Sequence, residues 1–340
     1  MFKPKIYITR LIPQAGIDLL QETCEVEINK EDRPLDRAGL PARVADKHGV
    51  IGLMTDRIDA EFFDTAKALK GYANFAVGFD NIDVPEATRR KIPVSNTPGV
   101  LTLATAELAW ALIFAVARRI VETDRIMRSG NWPGWGPLQF LGLDLTGKTL
   151  GIVGAGRIGT AMALMSKGFR MRVLYTNTSG RENQTLKSEL GARLVSMDEL
   201  LAESDFISIH TPLTPATRHL FRAETLARMK PSAILINTAR GPIIKEDDLV
   251  AELRSRGIAG AGLDVYEFEP RMAEGLAGLD NAVITPHIGS ATTSSRTGMA
   301  LLAARNLLAM LKGERPESCL NPEIYEEKKG HRDGASDGKE

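Results

Sequence analysis

Three ionisable side chains in the second half of the sequence have the chemistry of an acid–base site. His287 lies in the segment Pro-His-Ile-Gly-Ser after an apolar run, and imidazole can give and take a proton near neutral pH. Glu269 could hydrogen-bond that imidazole, which would fix its tautomer and keep it protonated as an acid. Arg240 offers a planar fork of donors that suits a carboxylate. Together they supply a proton donor and an anion-binding cation.

Taken singly, each of these side chains has a more ordinary interpretation. A histidine at a strand end is more often structural, a loop carboxylate is more often solvated, and a lone arginine is more often in a surface ion pair. All three, however, follow apolar runs that predict strands, and ligands bind beyond the carboxyl ends of parallel strands. Their joint placement favours a catalytic set. The other histidines are interpreted as surface or connecting residues (His48, His219, His331) or as a core residue (His210).

A glycine-rich segment, Gly-Ala-Gly-Arg-Ile-Gly at residues 154–159, stands between a predicted buried strand at 150–153 and a predicted helix at 160–167. In this context the first glycine permits the turn, the second lets the backbone approach a pyrophosphate, and the third lets helix and strand pack closely. The helix N-terminus adds free N–H groups and a partial positive charge. A turn made for packing alone is the alternative. The pattern predicts a bound dinucleotide.

The residues after the next predicted strand, 172–175, bear on the choice of cofactor. An NAD-specific site would carry an acidic residue there for the ribose 2′-hydroxyl, but this sequence has Asn177, Thr178 and Ser179, with Arg181 just beyond. These groups could donate hydrogen bonds to a 2′-phosphate. We therefore predict that NADP(H) is preferred. The alternative is a polar surface turn in a site that takes NAD(H) loosely.

Composition sets the class of protein. The 340 residues suit two ordinary domains, and 43% hydrophobic with 25% charged residues is typical of a soluble globular protein. The 43 Lys and Arg balance the 43 Asp and Glu, which argues against a nucleic-acid partner. Residues 1–9 enter a strand pattern with no apolar signal core, and no segment predicts a membrane span. Cys24 and Cys319 lack metal-ligand spacing and indicate reduced thiols in a cytoplasmic protein.

Strands and helices alternate along most of the chain, which predicts an α/β fold with parallel sheets covered on both faces. In the first hundred residues, strands are expected at 5–9, 24–28, 50–53, 72–75 and 93–95, and helices at 13–21, 40–46, 59–66 and 84–90. A second α/β unit spans 147–285, with strands at 205–210, 233–237, 260–263 and 282–285. A long helix at 294–312 could return the chain to the first domain. We therefore expect a discontinuous domain (1–100 with 290–325), a dinucleotide-binding domain (101–289) and a disordered charged tail (326–340).

A tryptophan-rich region follows the first α/β segment. An apolar helix at 103–117 carries Trp110, and an irregular Gly- and Pro-rich loop after residue 128 carries Trp132 and Trp135. Such a loop cannot form its own core and more often packs on a partner. We predict that residues 103–142 form a homodimer interface. The alternative is a loop folded back on its own domain.

The ordered motifs at 154–159, 237–241, 262–270 and 286–290 together resemble the D-isomer-specific 2-hydroxyacid dehydrogenase family, over roughly residues 3–322. Residues 76–83 and 97–102 are most similar to its glyoxylate/hydroxypyruvate reductases. The resemblance implies that Arg240, Glu269 and His287 are catalytic. It implies that the backbone N–H groups of Val77 and Gly78 bind the substrate carboxylate and that Leu53 lines the pocket. The implied cofactor contacts are Thr105, Gly154, Ala155, Gly156, Arg157, Ile158, Asn177, Thr178, Ser179, Pro212, Thr238, Ala239, Asp264 and Gly289.

The expected protein is thus an α/β enzyme with two Rossmann-like or flavodoxin-like domains and an active site in the cleft between them. Hydride would pass from the nicotinamide to the carbonyl carbon of glyoxylate or hydroxypyruvate, giving the D-2-hydroxy acid. Domain closure would exclude water. The alternatives are a dehydrogenase of a larger D-2-hydroxy acid and a dinucleotide-sensing protein similar to the corepressors that share this fold.

Overall fold

The computed structural model describes residues 2–31, 33–35, 39–178 and 180–330. Contacts divide them into two units, one made of the described residues up to Leu101 and from Thr292 onward, the other of Thr102–Ala291. Of the residues predicted to act, Ser179 lies outside the described residues, as does the tail from residue 331. None of the described helices has both the length and the apolar character that a membrane span requires.

The described residues of the first unit form a five-stranded sheet in which every pairing is parallel, in the order β2-β1-β3-β4-β5. Its strands are β1 (Lys5–Ile8), β2 (Glu25–Ile28), β3 (Gly49–Gly52), β4 (Gly71–Asn74) and β5 (Val94–Ser95). Its first helices are α1 (Gln14–Gln21), α2 (Gly39–Val44), α3 (Ala60–Thr65) and α4 (Val84–Arg89). β3 and β4 are buried along their whole length, as expected for central strands of a covered parallel sheet.

The second unit holds a seven-stranded parallel sheet within its described residues, in the order β12-β11-β10-β9-β6-β7-β8. The strands are β6 (Thr149–Val153), β7 (Arg172–Thr176), β8 (Arg193–Leu194), β9 (Phe206–Ile209), β10 (Ile234–Asn237), β11 (Gly260–Leu263) and β12 (Ala282–Ile284). The helices are α5 (Thr102–Ala117), α6 (Ile120–Arg128), α7 (Arg157–Met165), α8 (Gln184–Leu190), α9 (Met197–Glu203), α10 (Ala223–Leu226) and α11 (Glu246–Ser255). The predicted α/β class with two parallel sheets is confirmed.

The core of the second unit lies on both faces of its sheet, because successive side chains of each strand point to opposite faces. Leu235 on β10 packs on one face of the sheet with residues of α9, α10 and α11. Its neighbours Ile234 and Ile236 pack on the other face with residues of α5 and α7. Because successive side chains of a strand point to opposite faces, an unbroken apolar strand is buried on both sides. Polar residues begin where these apolar strands end, so the strand ends are available to form a site.

Helix α5 packs within its own unit, against α7 and the strands β10 to β12. Trp110 is buried there, and its indole N–H donates to the Met162 carbonyl at 3.1 Å. The ring of Trp110 and its one donor are therefore both used in the core of the unit, while the interface predicted for residues 103–142 stays a prediction. Helix α6, which the sequence analysis missed, follows α5 directly.

After the second unit the chain returns to the first through α12 (Thr293–Leu311), which packs on α1, β3 and β4. Helix α13 (Glu323–Gly330) then follows. Helix α13 thus overlaps the first residues of the segment predicted to be disordered, 326–340, and the disorder stays a prediction. Ile324 is buried and anchors the helix, while Glu323 and Glu326 in its first turn suit the positive end of the helix dipole.

Candidate active site

The sheet order of the second unit brings the three predicted catalytic residues to neighbouring strand ends. Arg240 follows β10, Glu269 follows β11 and His287 follows β12, and these strands are adjacent in the sheet. The glycine-rich segment follows β6, which pairs with β7 on one side and β9 on the other. The chain reverses its direction across the sheet at this point, and ligands of open α/β sheets bind at such a point.

Glu269 and His287 are in direct contact. Nδ1 of His287 lies 3.0 Å from Oε2 and 3.3 Å from Oε1 of the Glu269 carboxylate. Both side chains are partly exposed, so Nε2 at the other end of the imidazole ring can serve a ligand. Burial acts to raise the pKa of Glu269, but the hydrogen bond and the charge of His287, with a smaller contribution from Arg240, hold that pKa below its usual value. The carboxylate therefore stays charged beside the imidazole.

Asp264 holds the turn that carries His287. Its Oδ1 accepts hydrogen bonds from the Thr285 hydroxyl at 2.6 Å and the Ile288 N–H at 2.8 Å, and its Oδ2 accepts from the Gly289 N–H at 2.7 Å. Burial raises the pKa of Asp264, and these hydrogen bonds oppose that rise. His287 itself has a positive φ of 55°, which this network stabilises. Asp264 thus supports the turn that carries His287, a role the sequence analysis did not assign.

Arg240 lies in a loop that packs on the segment before Glu269. Asn237 holds this loop, since its side-chain amide donates to the Arg240 carbonyl at 2.9 Å and its Oδ1 accepts from the Ala239 N–H. A Cβ on the next residue, Gly241, would collide with the carbonyl of Tyr266. Glycine is therefore required at 241 so that the two loops can touch.

The three glycines of the 154–159 turn have the three environments that the motif predicts. Gly154 has a φ of 101°, and a Cβ there would come within 2.7 Å of the Thr211 nitrogen. A Cβ on Gly159 would collide with the Gly154 carbonyl, whereas a Cβ on Gly156 would meet no atom within 4 Å. The turn thus needs Gly154 and the close packing needs Gly159, while Gly156 leaves open space at the N-terminus of α7. This arrangement fits a pyrophosphate.

Other predicted cofactor residues lie in α5, in the loops after β9 and β10, or in the turn itself. Thr238 is buried, and its hydroxyl has no hydrogen-bond partner among the described residues, so it can still bind a ligand. Thr105 donates to the Gly289 carbonyl at 3.1 Å, which ties α5 to the loop after His287. Pro212 is exposed in the loop after β9, and its carbonyl accepts from Thr217. Ala155, Arg157 and Ile158 lie in the turn and first residues of α7.

Asn183 supports the glycine-rich turn and was missed by sequence analysis. Its side-chain amide donates to the Ala155 carbonyl at 3.1 Å and to the Thr160 hydroxyl at 2.8 Å. Its Oδ1 caps α8 by accepting from the Leu186 N–H. An asparagine before a helix signals a cap in sequence, but its second role depends on the fold. In the neighbouring loop, Asn177 donates to the Arg181 carbonyl at 2.6 Å and Thr178 is exposed.

In the first unit, the loop of Val77 and Gly78 has the form of an anion cradle. The carbonyl of Val77 accepts from the side-chain amide of Asn96 at 2.7 Å, and that of Gly78 accepts from Asn74 at 2.8 Å. In the described part of the chain, the N–H groups of Val77 and Gly78 donate no hydrogen bond. Half-buried donors of this kind suit a carboxylate. Sequence analysis did not identify either asparagine.

Leu53 lies in the loop after β3 of the same unit and is half-buried. Its N–H donates to the buried Asp56 carboxylate at 2.7 Å, and its carbonyl accepts from Asn81 at 3.2 Å. Burial raises the pKa of Asp56, while the hydrogen bonds from Leu53 and Thr9 oppose that rise. The backbone of Leu53 is thus fixed.

Two further histidines have defined environments. Burial lowers the pKa of His210 to about 4, and its Nε2 lies 2.8 Å from the Ser208 hydroxyl, consistent with the predicted core position. His219, predicted to lie at the surface or in a connection, lies in a turn and is partly buried, with its Nε2 2.6 Å from Oε1 of Glu267. Nothing in the sequence near His219 indicates this partner, because Glu267 is 48 residues away.

Comparisons with known proteins agree with this geometry. Residues 110–289 match the family model described as D-isomer specific 2-hydroxyacid dehydrogenase, NAD binding domain. A glyoxylate reductase of Thermococcus onnurineus is 49% identical over 331 residues, which cover 96% of this chain and 98% of that protein.

Solved structures give the same result. A protein of Thermus thermophilus has a TM-score of 0.86 and 46% identity, over 93% of this chain and 99% of that one. An NADPH-dependent glyoxylate/hydroxypyruvate reductase of Sinorhizobium meliloti, in complex with NADP and malonate, has a TM-score of 0.83 and 31% identity, over 94% of this chain and 97% of that one.

Proposed function

The chain belongs to the D-isomer-specific 2-hydroxyacid dehydrogenase family, and we propose that it reduces glyoxylate or hydroxypyruvate to glycolate or D-glycerate. The observation that carries the proposal is the contact of 3.0 Å between His287 and Glu269, at the strand ends of the same sheet that carries Arg240 and the glycine-rich turn. The names of the 49% identical and 31% identical reductases support the choice of substrate.

The catalytic roles follow from the chemistry of the three side chains. When bound, a reduced nicotinamide supplies hydride for the carbonyl carbon. His287 gives its proton to the carbonyl oxygen, so that one hydride and one proton complete the alcohol. Glu269 holds the imidazole in one tautomer and stabilises its protonated form. Arg240 pairs with the substrate carboxylate and polarises the carbonyl.

We assign substrate binding to the first unit's loops as part of the same proposal. The free N–H groups of Val77 and Gly78 bind the carboxylate, and Leu53 lines the pocket for the rest of a small 2-oxo acid. Support comes from Asn74 and Asn96, which occupy the carbonyls of this loop and leave its amides available. Two backbone donors bind an anion without a side-chain charge.

The residues proposed to hold the cofactor fit a dinucleotide, since the open space at Gly156 and the unpartnered hydroxyl of Thr238 are both available. They are Thr105, Gly154, Ala155, Gly156, Arg157, Ile158, Asn177, Thr178, Ser179, Pro212, Thr238, Ala239, Asp264 and Gly289. Of these, Asp264, Thr105 and Gly289 act through the network that holds the turn of His287.

NADP(H) is the preferred cofactor in this proposal. The segment after β7 offers Asn177, Thr178 and Ser179 where a carboxylate would repel a 2′-phosphate, and Glu182 nearby is paired with Lys187 at 2.8 Å. The ratio of kcat/KM for NADPH over NADH measures the preference. A ratio below one would contradict it and favour NAD(H).

We also propose that the protein is a homodimer that buries the loop at 129–142. Four large apolar side chains in this loop are exposed, with Trp135 and Leu138 each 82% accessible to solvent and Trp132 and Leu141 also exposed. The loop ends in a fixed position, since the Leu143 N–H donates to the Ala117 carbonyl at 2.8 Å. Several large, exposed apolar side chains in one loop are typical of a protein interface.

A cytoplasmic location completes the proposal. Cys24 is buried, Cys319 is half-buried, and both are free thiols. Unpaired thiols are typical of proteins kept in a reducing compartment. Fractionation of cells that express a tagged chain tests this location, and recovery with an oxidising compartment would contradict it.

Turnover measured by the absorbance of the reduced nicotinamide tests the proposed activity. The purified protein is mixed with NADPH or NADH and, in parallel, with glyoxylate, hydroxypyruvate and pyruvate. We expect rapid loss of absorbance with glyoxylate or hydroxypyruvate. Turnover only with bulkier 2-oxo acids would indicate a dehydrogenase of a larger D-2-hydroxy acid. Cofactor binding with no turnover of any 2-oxo acid would contradict the proposed activity and favour a dinucleotide sensor.

A further inference from the structure

The buried carboxylate of Glu246 contacts both ends of the loop that carries Glu269. Glu246 is the first residue of α11 and only 4% exposed. Its Oε2 accepts a hydrogen bond from the Glu267 N–H at 3.0 Å, and its Oε1 accepts from the Ala273 N–H at 3.2 Å. One carboxylate thus fixes the chain two residues before Glu269 and four residues after it.

The first of these contacts is reciprocal. The Glu267 carboxylate accepts from the N–H of Glu246 at 3.0 Å, while the Glu246 carboxylate accepts from the N–H of Glu267. The other oxygen of Glu267 lies 2.6 Å from Nε2 of His219. Each carboxylate is therefore satisfied by hydrogen bonds, which buried carboxylates require. The start of α11 and the loop are locked together by this pair.

The peptide that Glu246 fixes in turn positions the Glu269 side chain. The N–H of Tyr266, one residue before Glu267, donates to Oε1 of Glu269 at 3.0 Å. The hydroxyl of Tyr266 donates to the Thr285 carbonyl at 2.8 Å, near the turn of His287. A shift of the peptide at 266–267 would therefore move the carboxylate that contacts the imidazole.

We propose that Glu246 is a positioning residue for the acid–base pair: by fixing both ends of residues 267–273, it holds Glu269 within hydrogen-bond distance of His287. This inference rests on the proposed function, because it assigns Glu246 a part in proton donation. A buried anchor of this kind makes the loop rigid without touching substrate or cofactor, and small displacements of catalytic groups are costly to the rate.

The charged groups around Glu269 and Glu246 determine what a substitution of Glu246 would change. Glu269 faces His287 and Arg240, and Glu246 faces Glu267 and Asp247. Removal of the Glu246 carboxylate leaves the charges of Glu269, His287 and Arg240 unchanged. The expected loss is therefore one of position, so it should affect the step in which the proton moves and leave cofactor binding intact.

The test compares Glu246→Ala with Asp248→Ala, a matched control in the same first turn of α11. The Asp248 carboxylate accepts from the Ala223 N–H at 2.9 Å and pairs with Lys245 at 2.8 Å, so its removal also costs one backbone contact. Two readouts are taken: hydrogen exchange of the segment 264–275, and kcat across pH with the KM for the cofactor. Hydrogen exchange reports the anchor whether or not a substrate is turned over.

In Glu246→Ala, we expect faster exchange in 264–275, a kcat lower by about tenfold or more, and a cofactor KM within about twofold of the wild type. We also expect the acidic fall of kcat to move to higher pH, because a displaced Glu269 loses the contacts with His287 that hold the pKa of its carboxyl below the usual value. Asp248→Ala should match the wild type in hydrogen exchange, kcat, cofactor KM and the pH profile of kcat. Glu246→Gln, which keeps one acceptor oxygen, should give an intermediate kcat and serves if the alanine variant fails to fold.

Two results would overturn the inference. One is unchanged exchange of 264–275 without the Glu246 carboxylate, and the other is faster exchange with kcat and its pH profile unchanged. If the wild type reduces no 2-oxo acid at all, the proposed function fails and the catalytic part of the inference fails with it. The exchange result then still reports whether Glu246 anchors the loop.

Discussion

The contact between Glu269 and His287 joins a charged carboxylate to one nitrogen of an imidazole and leaves the other nitrogen for a ligand. The sequence alone predicts this pair, because each residue type has one obvious use beside a nicotinamide. It does not predict Asp264 as the residue that holds the turn of His287, or Asn183 as the support of the glycine-rich turn. Those roles arise from hydrogen bonds between segments that are distant in sequence.

His210 makes the stability of the protein sensitive to acid. Its pKa in the folded protein is lowered to about 4 by burial, against 6.5 in the unfolded chain. Below pH 6.5 the unfolded chain binds a proton that the folded protein does not, so the free energy of unfolding falls until about pH 4. The slope is about 1.4 kcal/mol per pH unit, or about 3 kcal/mol in all.

Urea unfolding of the wild type and His210→Asn between pH 7 and pH 4 measures this effect. We expect the wild type to lose stability more steeply than the variant in this window. Parallel curves for the two proteins would contradict a neutral, buried His210.

At the scale of elements, the strands were predictable and the helix boundaries less so. Apolar runs placed every central strand, because a strand buried on both faces needs an unbroken apolar sequence. Helix α7 begins at Arg157 instead of residue 160, since Gly156 occupies the cap position. Helix α6, which the sequence analysis missed, has no buried residue, and its large apolar side chains Ile120, Val121 and Met127 are exposed.

Substitution by alanine should mainly affect protein stability at Gly159 and cofactor affinity at Gly156. Gly159→Ala places a Cβ against the Gly154 carbonyl and should destabilise the protein by about 1–3 kcal/mol. Gly156→Ala meets open space, so we expect a stability change under about 1 kcal/mol and a cofactor Kd raised by about tenfold. Urea unfolding and fluorescence titration with NADPH measure the two effects. Equal cofactor affinity in Gly156→Ala would contradict the proposed pyrophosphate site.

The asparagines behind the anion cradle should control substrate affinity. Asn96→Ala removes the donor to the Val77 carbonyl, which frees that peptide to turn its N–H away from a carboxylate. We expect the KM for the 2-oxo acid to rise by about tenfold, with little change in kcat, because the contact is present in both ground and transition states.

Asn321→Ala is the matched control for this test. Asn321 is fully buried in the same unit and makes two backbone hydrogen bonds, to Val94 and Ile92, away from the cradle. The Asn321→Ala variant should lose about as much stability as Asn96→Ala, while its KM for the 2-oxo acid stays at the wild-type value. A rise in KM of equal size in both variants would assign the effect to general loosening of the unit.

At the scale of the whole molecule, the two parallel sheets were predictable from the alternation of strands and helices. The sequence analysis did not predict the contact of Trp110 or the helix that reaches Gly330. In both cases a tertiary contact decided the outcome: the indole of Trp110 binds Met162, and Ile324 anchors α13. Neither contact has a local signal, since the partners are set by packing.

The exposed apolar side chains of the loop at 129–142 lead us to predict that the protein forms a dimer. Trp135→Asp with Leu138→Asp places two charges where the apolar side chains stand. A desolvated, unpaired charge is unfavourable in an interface, so we expect a dimer of the wild type to dissociate in the double variant. Light scattering coupled to size exclusion measures the mass of each. A monomeric wild type would contradict the proposed interface.

The rate of NADPH oxidation with glyoxylate, measured for the wild type and for His287→Gln at the same pH, tests the proposed reaction most directly. Loss of the proton donor should lower kcat by at least about 10²-fold while NADPH still binds. Turnover by the wild type with near-normal kcat in His287→Gln would remove His287 from the mechanism, and with it the catalytic meaning of its contact with Glu269.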